Sequence, residues 1–457
     1  MNKKVEITLL AAILLFAFFI RIYALGNAPF WIDESISSIA STNILEKGLP
    51  IFDSGAMYNR ALVFHYIQAF FLNFGSTDFM VRFFSVICGL LTVFLAYKIG
   101  KEYSKSGGLI SALFMAVFYL EVFYSRQARF YQLFQLMFFL SLYLLYKSKE
   151  NPKFIYLALI SFFITVDTQI AGLILIPFFI GHMLIYNKKQ KYLSFITLIP
   201  LIRQFIGLFK VSTASTTSAV NYVSRYASYL TNIKYLFILI VPGVIWSFKK
   251  KRRLTFLLVV PSILLLGGVF FVKYFALRYA YFFVFPLVLY SSLLISFLYE
   301  KYGKMMLASV FILLILPSNL IFPFTYVNVI VPVDKNYYDV SAPEINYKDI
   351  PEDIAMELKD NTLVTMFSSG VEWYIKKPDY VFPFSMTGAG NDTISFNNVD
   401  IYTGAPILTE KPKGSFYFIV DGFSYSKLKS FQIEKLNNIL LGCNVIYEND
   451  DLKVHKC

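Results

Sequence analysis

Long runs of apolar residues, separated by short tracts of Lys and Arg, constrain this chain more than any other feature. A helix crossing about 30 Å of hydrocarbon needs about 20 apolar residues, within a range of about 17–25. Runs of this kind lie at 6–25, 80–98, 107–124, 128–146, 154–168, 170–186, 192–209, 231–248, 254–272, 278–298 and 305–324. They predict a polytopic α-helical membrane protein with about 11 transmembrane helices, of which 154–168 and 170–186 form a short pair. Composition agrees, with 57% hydrophobic and 16% charged residues. Soluble domains carry about 25% charged residues. A soluble fold of 457 residues could not hide this much apolar surface. Disordered and disulfide-rich secreted classes are excluded by the same numbers.

The charge is divided. Residues 1–324 hold 30 Lys and Arg against 11 Asp and Glu, whereas residues 325–457 hold 12 against 18. The cations sit in short tracts between apolar runs, as topology determinants do, and not in a soluble patch suited to nucleic acid. Nucleic-acid binding is therefore excluded. The tracts at Lys3–Lys4, Lys98–Lys105, Lys147–Lys153, Lys188–Lys191, Lys249–Arg253 and Lys301–Lys304 all face one side if 61–74 does not cross. That side is the cytoplasm. The N-terminus is then cytoplasmic, and residues 325–457 are extracytoplasmic. The segment 61–74 is too short to span and is expected to lie in the outer interface, with His65 and Gln68 on one edge. The first run is longer than a signal-peptide core and is expected to remain as an anchor, with Arg21 snorkelling to the headgroups.

Chemistry is expected on the outer face. The loop after the first span opens with NAPFWIDESISS, where Asp33 and Glu34 are adjacent carboxylates beside the interfacial aromatics Phe30 and Trp31. The plainer alternative is that Asp33 caps a helix beginning at Glu34. A general base must come from Asp33, Glu34, Glu46, Asp53, Asp78, Glu121 or Asp167, or from His65; a lone His is more often a structural polar group. In YSRQARFYQLF (124–134), Arg126 and Arg129 share a face if the segment is helical. Charges at membrane depth cost about 2.5–3.5 kcal/mol and usually face protein, water or a ligand. A guanidinium fork suits phosphate. The alternatives are that Arg126 pairs with Glu121 and that Arg129 is an interfacial anchor. Lys210, Arg225, Lys273 and Arg278 add outer cations, and the Ser/Thr/Tyr-rich stretch 210–230 suits either a lid or a solvated connection. Asp167 and Gln169 fit a turn.

These segments form an ordered set. RIYALGNAPFWIDES, NRALVFHYIQAFFLNFGSTDFMVRFF, YSRQARFYQLF and LRYAYFFVFP together resemble the GT-C superfamily of membrane glycosyltransferases. That superfamily includes protein O-mannosyltransferases and the aminoarabinose transferases, and the likeness is to the bacterial or archaeal branch. It covers residues 1–200 well and 270–290 loosely. It implies transfer of a sugar from a polyprenyl-phosphate-linked donor to a lipid, glycan or protein acceptor on the extracytoplasmic side of the cell membrane. By matching position, Asp33 would be the general base and Glu34 would bind substrate. Arg126 and Arg129 would hold the donor phosphate, with Tyr131 beside them. His65, on the segment resembling the family's substrate-facing helix, and Arg278, an outer cation suited to a ligand anion, are also expected to bind substrate. The chain departs from the pattern where Arg60, Ala61 and Leu62 replace paired prolines, where Gln169 replaces a His, and where the Trp-Trp-Asp-Tyr-Gly signature is absent. With no second close carboxylate to act as nucleophile, single displacement with inversion is expected.

In the tail, 363–367, 416–420 and 443–447 read as short buried strands, and 369–376 and 426–441 as helices. Their alternation predicts a small α/β domain over 325–457, beside a transmembrane catalytic domain over 1–324. A Cys443–Cys457 disulfide is compatible with the sequence, but three cysteines give no framework and no zinc spacing. No cofactor is identified, and metal dependence is left open because no ligand cluster has recognisable spacing. Besides donor and acceptor, the expected partners are membrane lipids. The competing function is a polyprenyl-linked glycan flippase or transporter, which would show internal repeats and broken helices.

Overall fold

The computed structural model describes residues 2–201, 234–269, 277–303, 345–383, 395–396 and 399–457. The expected span 305–324, the whole of 210–230 with Lys210 and Arg225, and Lys273 lie outside the described residues. The chain is mostly helical and separates into two compact units. One comprises Met1–Ala24, Arg60–Phe64 and Phe83–Val333; the other comprises Leu25–Asn59, His65–Arg82 and Asp334–Cys457.

The first unit is built from apolar helices. Helix α1 is Lys3–Ile22, opened by Asn2, whose side chain accepts the Lys4 backbone N–H. Helices α2 (Ile32–Lys47) and α3 (Leu62–Leu72) come next in the chain, but α2 and all of α3 after Phe64 belong to the second unit. Helix α4, Asp78–Tyr103, runs 26 residues and contributes its length from Phe83 onward to this unit. Helix α5 (Gly107–Val117) is followed after Phe118 by α6 (Tyr119–Ser125), with a 62° bend between them. Helix α7 (Tyr131–Lys147) packs on α8 (Phe154–Thr168), and α9 is Ile176–Tyr186. Helix α10, Lys234–Val269, packs on α11, Val284–Tyr302, and α11 also packs on α5.

Among the described residues, four helices are long and apolar enough to cross a membrane, or five if the bent pair counts as one. This differs in detail from the eleven expected. The run 107–124 is broken at Phe118, which takes an extended conformation (φ −65, ψ 123). The runs 231–248 and 254–272 are traced as one helix interrupted at Lys251 (φ −141, ψ 65). Helix α3 has only 11 residues, about 16 Å of helix, which falls short of a crossing.

The second unit has a five-stranded sheet. Its strands are β1 (Leu363–Thr365), β2 (Tyr380–Val381), β5 (Tyr417–Asp421), β6 (Asn444–Glu448) and β7 (Leu452–Lys456); β3 (Ser395–Phe396) and β4 (Val399–Asp400) form a separate pair. The order is β2-β1-β5-β7-β6. Strand β1 runs parallel to β2 and β5, and β7 runs antiparallel to β5 and β6. Side chains alternate across a strand, and both faces are covered. Leu363, Tyr417, Ile419, Leu452 and Val454 share a core with Ile32, Ile36, Ile39 and Ala40 of α2. Val364, Phe418 and Val420 pack with Leu436 and Ile439 of the helix Ser430–Leu440. The core of this unit is therefore drawn from both sides of residue 324. Cys443 and Cys457 form a disulfide that closes the β6–β7 hairpin. Strand β7 was not expected from the sequence; its alternating burial, with Leu452 and Val454 in and Lys453 out, is the period-two signal that betrays it.

Candidate functional site

The second unit positions the acidic pair. Helix α2 starts at Ile32 with Trp31 as its N-cap residue. Asp33 is therefore in the first turn and not the cap, which corrects the capping alternative. An acid there complements the helix dipole. Asp33 is half-buried, while Glu34 is 1% exposed. Glu34 reaches back to the Trp31 backbone N–H (3.4 Å), as in a capping box.

Both Glu34 oxygens are taken by Arg82 of α4. Nε donates to Oε1 at 2.9 Å and Nη2 to Oε2 at 2.8 Å. Such a two-pronged pair fixes orientation as well as charge. Arg82 is itself buried and uses its remaining donors on the carbonyls of Leu25 (2.9 Å), Ala28 (2.8 Å) and Pro29 (3.0 Å). It also lies 4.9 Å from the Phe30 ring centroid. One guanidinium thus ties the loop before α2 to the first turn of α2.

His65 is fully buried in a polar cluster with Ser41 and Gln68. Nδ1 lies 3.3 Å from Ser41 Oγ and 3.4 Å from Gln68 Oε1, and the Tyr58 ring packs edge-on at 5.1 Å. Gln68 in turn donates to the Val81 carbonyl (2.9 Å).

The first unit holds the guanidinium set. Arg126 sits beside the end of α1 and donates from Nη1 to the carbonyls of Ile20 (3.0 Å), Arg21 (3.3 Å) and Tyr23 (2.6 Å), with Nη2 reaching Ala24 (3.4 Å). These are carbonyls that a helix end leaves without intrahelical partners. Arg21 does the reverse. It donates to the carbonyls of Ala116 (2.9 Å) and Met115 (3.3 Å), which the break after α5 exposes. Arg21 is fully buried, so the expectation that it snorkels to the headgroups is corrected: the broken helix offers it carbonyls inside the protein. Gly89 makes room for it, since a Cβ there would lie 2.6 Å from Ser125 Cβ and 2.9 Å from Arg21 Nε.

Arg129 is buried, with its guanidinium 4.5 Å from the Phe130 centroid and 5.6 Å from that of Tyr131. The exposed Arg60 lies 4.8 Å from the same Phe130 ring. Two cations on one aromatic ring form a group the sequence did not single out, because Arg60 is remote from Arg129 in the chain. Tyr131 is buried against Tyr124 and Phe130. Arg278 is half-buried in the short helix Leu277–Tyr279, 5.5 Å from the Tyr279 centroid.

Glu121 is held by Gln135 Nε2 (2.8 Å) and the Tyr281 hydroxyl (2.9 Å). Asp167 accepts the Val63 backbone N–H at 3.0 Å, ahead of which Ala61 takes a left-handed conformation (φ 51) and donates to the Asp167 carbonyl. Asp167 thus lies in the last turn of α8 and meets the start of α3, in place of the local turn role expected of it. Among the described residues, no group of three or more His, Cys, Asp or Glu could hold a metal ion.

Comparison with known proteins follows this geometry. Residues 59–213 match a family model described as dolichyl-phosphate-mannose-protein mannosyltransferase. No curated protein matches by sequence. In fold, the chain is similar to ArnT from Cupriavidus metallidurans bound to undecaprenyl phosphate, with a TM-score of 0.65 at 11% identity over 100% of this chain and 98% of that one. The apo form of the same protein gives a TM-score of 0.66 at 10% identity over 99% and 98%. The oligosaccharyltransferase of Archaeoglobus fulgidus, solved with Zn and sulfate, gives 0.54 at 12% identity over 90% of this chain and 68% of that one. The chain is a membrane protein that shares the fold of these solved structures, and its resemblance to GT-C glycosyltransferases rests on that fold together with the family match over residues 59–213.

Proposed function

We propose that the chain transfers a sugar from a polyprenyl-phosphate-linked donor to an acceptor on the extracytoplasmic side of the membrane, with inversion. Asp33 takes the proton from the acceptor hydroxyl, whose oxygen attacks the anomeric carbon. The bond to the phosphate oxygen breaks, and polyprenyl phosphate leaves. A positioned base contributes about 10²–10⁴-fold. Prearranged cations facing the charge that builds on the leaving phosphate are often the larger contribution. Arg129 with Tyr131 beside it, together with Arg60 and Arg278, would face that phosphate. Arg126 shapes the same region by closing α1, and His65 acts through the α2–α3 packing. Glu34 orients Asp33 through Arg82.

The observation that carries this reading is the treatment of the acidic pair: Glu34 is committed to Arg82, while its neighbour Asp33 is half-buried at the head of the same helix. The Cys443–Cys457 disulfide supports an oxidising compartment for the sheet-bearing unit. The bent α5–α6 pair favours the flippase reading to a degree, since transporters use broken helices. The carbonyls at that break, however, are occupied by Arg21 and so are not left for a substrate or ion.

The test is purified protein in lipid nanodiscs with a panel of radiolabelled undecaprenyl-phosphate hexoses and pentoses and a membrane extract as acceptor source. Release of undecaprenyl phosphate coupled to sugar transfer is expected, and Asp33→Asn should lower it by about 10²-fold or more while the protein stays folded. Unchanged turnover in Asp33→Asn rejects the base. Movement of intact donor between leaflets without transfer favours the flippase.

A further inference from the structure

Tyr374 and Trp373 lie more than 300 residues from Asp33 in sequence, yet they converge on the structure that carries it. The helix Ser368–Tyr374 packs on α2. Val371 joins the core that holds Ile32 and Ile36. Ser369 Oγ and Ser35 Oγ are hydrogen-bonded at 2.8 Å. Beyond this packing is a polar knot. Asp78 accepts from Trp373 Nε1 on Oδ1 (2.9 Å) and from the Tyr374 hydroxyl on Oδ2 (2.8 Å). Lys348 Nζ lies 2.6 Å from Asp78 Oδ2 and donates to the Gly26 carbonyl. The Tyr374 oxygen also accepts the backbone N–H of Phe30 at 2.8 Å. The Phe30 ring rests against Trp373 (5.4 Å) and Tyr374 (5.8 Å).

The loop 25–30 is therefore held from two sides. Arg82 grips its carbonyls at Leu25, Ala28 and Pro29. Tyr374 and Lys348 grip its Phe30 N–H and Gly26 carbonyl. Asp78 and Arg82 are one helical turn apart at the start of α4, so both grips share one rigid support. Asp33 is three residues beyond Phe30, in the first turn of the helix that this loop leads into.

We propose that Tyr374, with Trp373 and Lys348, is a positioning residue for Asp33. The tail is then a structural part of the catalytic apparatus and not a detached lid or acceptor-docking module. This rests on Asp33 being the base, but the positioning itself can be read without any substrate. A small misplacement of a reacting group can cost up to about 10²-fold in rate, and losing one hydroxyl of a multiply held loop should cost less.

The experiment compares full-length wild type, Tyr374→Phe and the control Tyr417→Phe in nanodiscs. The Tyr417 ring shares a core with α2 and is kept in Phe; only its hydroxyl, which donates to Glu357, is lost. Hydrogen exchange should quicken about threefold or more over residues 27–36 in Tyr374→Phe, and Tyr417→Phe should match wild type there. Turnover at saturating donor should fall about tenfold, with affinity for undecaprenyl phosphate within twofold of wild type. Unchanged exchange over 27–36 overturns the proposal. So does quickened exchange with full turnover in an active enzyme. If Tyr374→Phe loosens the whole protein, Asp78→Asn replaces it; the same local change is required there, and its absence is equally fatal. If the wild type transfers no sugar, the function fails while the exchange result still decides the positioning.

Discussion

Two buried arginines, one in each unit, show opposite ways of keeping a charge inside this protein. Arg21 is fully buried and directs its Nη groups at the backbone carbonyls of Ala17, Met115 and Ala116. Arg82 is buried against a carboxylate, with both prongs on Glu34. The first charge is hydrogen-bonded to the carbonyls of helix ends, with Glu121 near enough to interact through space; the second is in direct contact with its counter-ion. A helix end is a fixed acceptor, so Arg21 is held by backbone atoms and not by direct contact with a carboxylate. A counter-ion makes the pair interdependent, because removing one member strands the other. Arg21 therefore closes a helix end, and Arg82 locks Glu34 in the first turn of α2.

The sharpest way to break this comparison is Glu34→Gln. It leaves Arg82 charged and buried, and removal of one partner from such pairs costs about 3–5 kcal/mol. A denaturation midpoint well below wild type is expected, with turnover lost as Asp33 drifts. The double variant Glu34→Leu with Arg82→Met should recover much of the stability but none of the turnover. Recovery of both would show that the pair has no aiming role. A smaller loss is expected from Arg21→Met, about 1–3 kcal/mol, for the carbonyls left unmet. If it equals or exceeds the loss in Glu34→Gln, the distinction between the two arginines fails.

The smallest effect concerns pH. Glu372 is mostly buried, and burial first, then the charge of Asp53, push its carboxyl from an ordinary 4.5 up to about 7. Its native form keeps a proton that the unfolded chain has already released. Stability from this group is therefore full below about 4.5 and is lost as pH rises toward about 7. Glu372→Gln should stabilise the protein by roughly 2 kcal/mol at pH 8 and leave it unchanged at pH 4. Thermal melts across that range check it; equal shifts at both ends reject it.

What could be read beforehand follows how local each cause is. The apolar runs, the short α3 and the strands at 363, 417 and 444 carry their signal within a few residues. His65 and Gln68 were legible as one edge of α3, while Ser41, 24 residues away, joins them only on folding. The destination of Arg126 was not. Its partners lie more than 100 residues earlier, and backbone carbonyls leave no mark in a sequence. Arg82 lies in one of the segments that carry the resemblance, but its pairing with Glu34 depends on how α4 meets the loop. Arg60 stood out as a departure from a family pattern, and only folding places it on the Phe130 ring beside Arg129.

The two-sided sheet has a consequence for how this site could change over time. In β5, Tyr417 and Ile419 face α2 while Phe418 and Val420 face the opposite helix. Inserting or deleting a single residue early in that strand would reverse this parity. Helix α2 would then lose its seat, and Asp33 with it, although no residue near Asp33 had been altered. Length changes in the tail should therefore be tolerated in its loops and rejected inside β5, as strictly as if that strand belonged to the site itself.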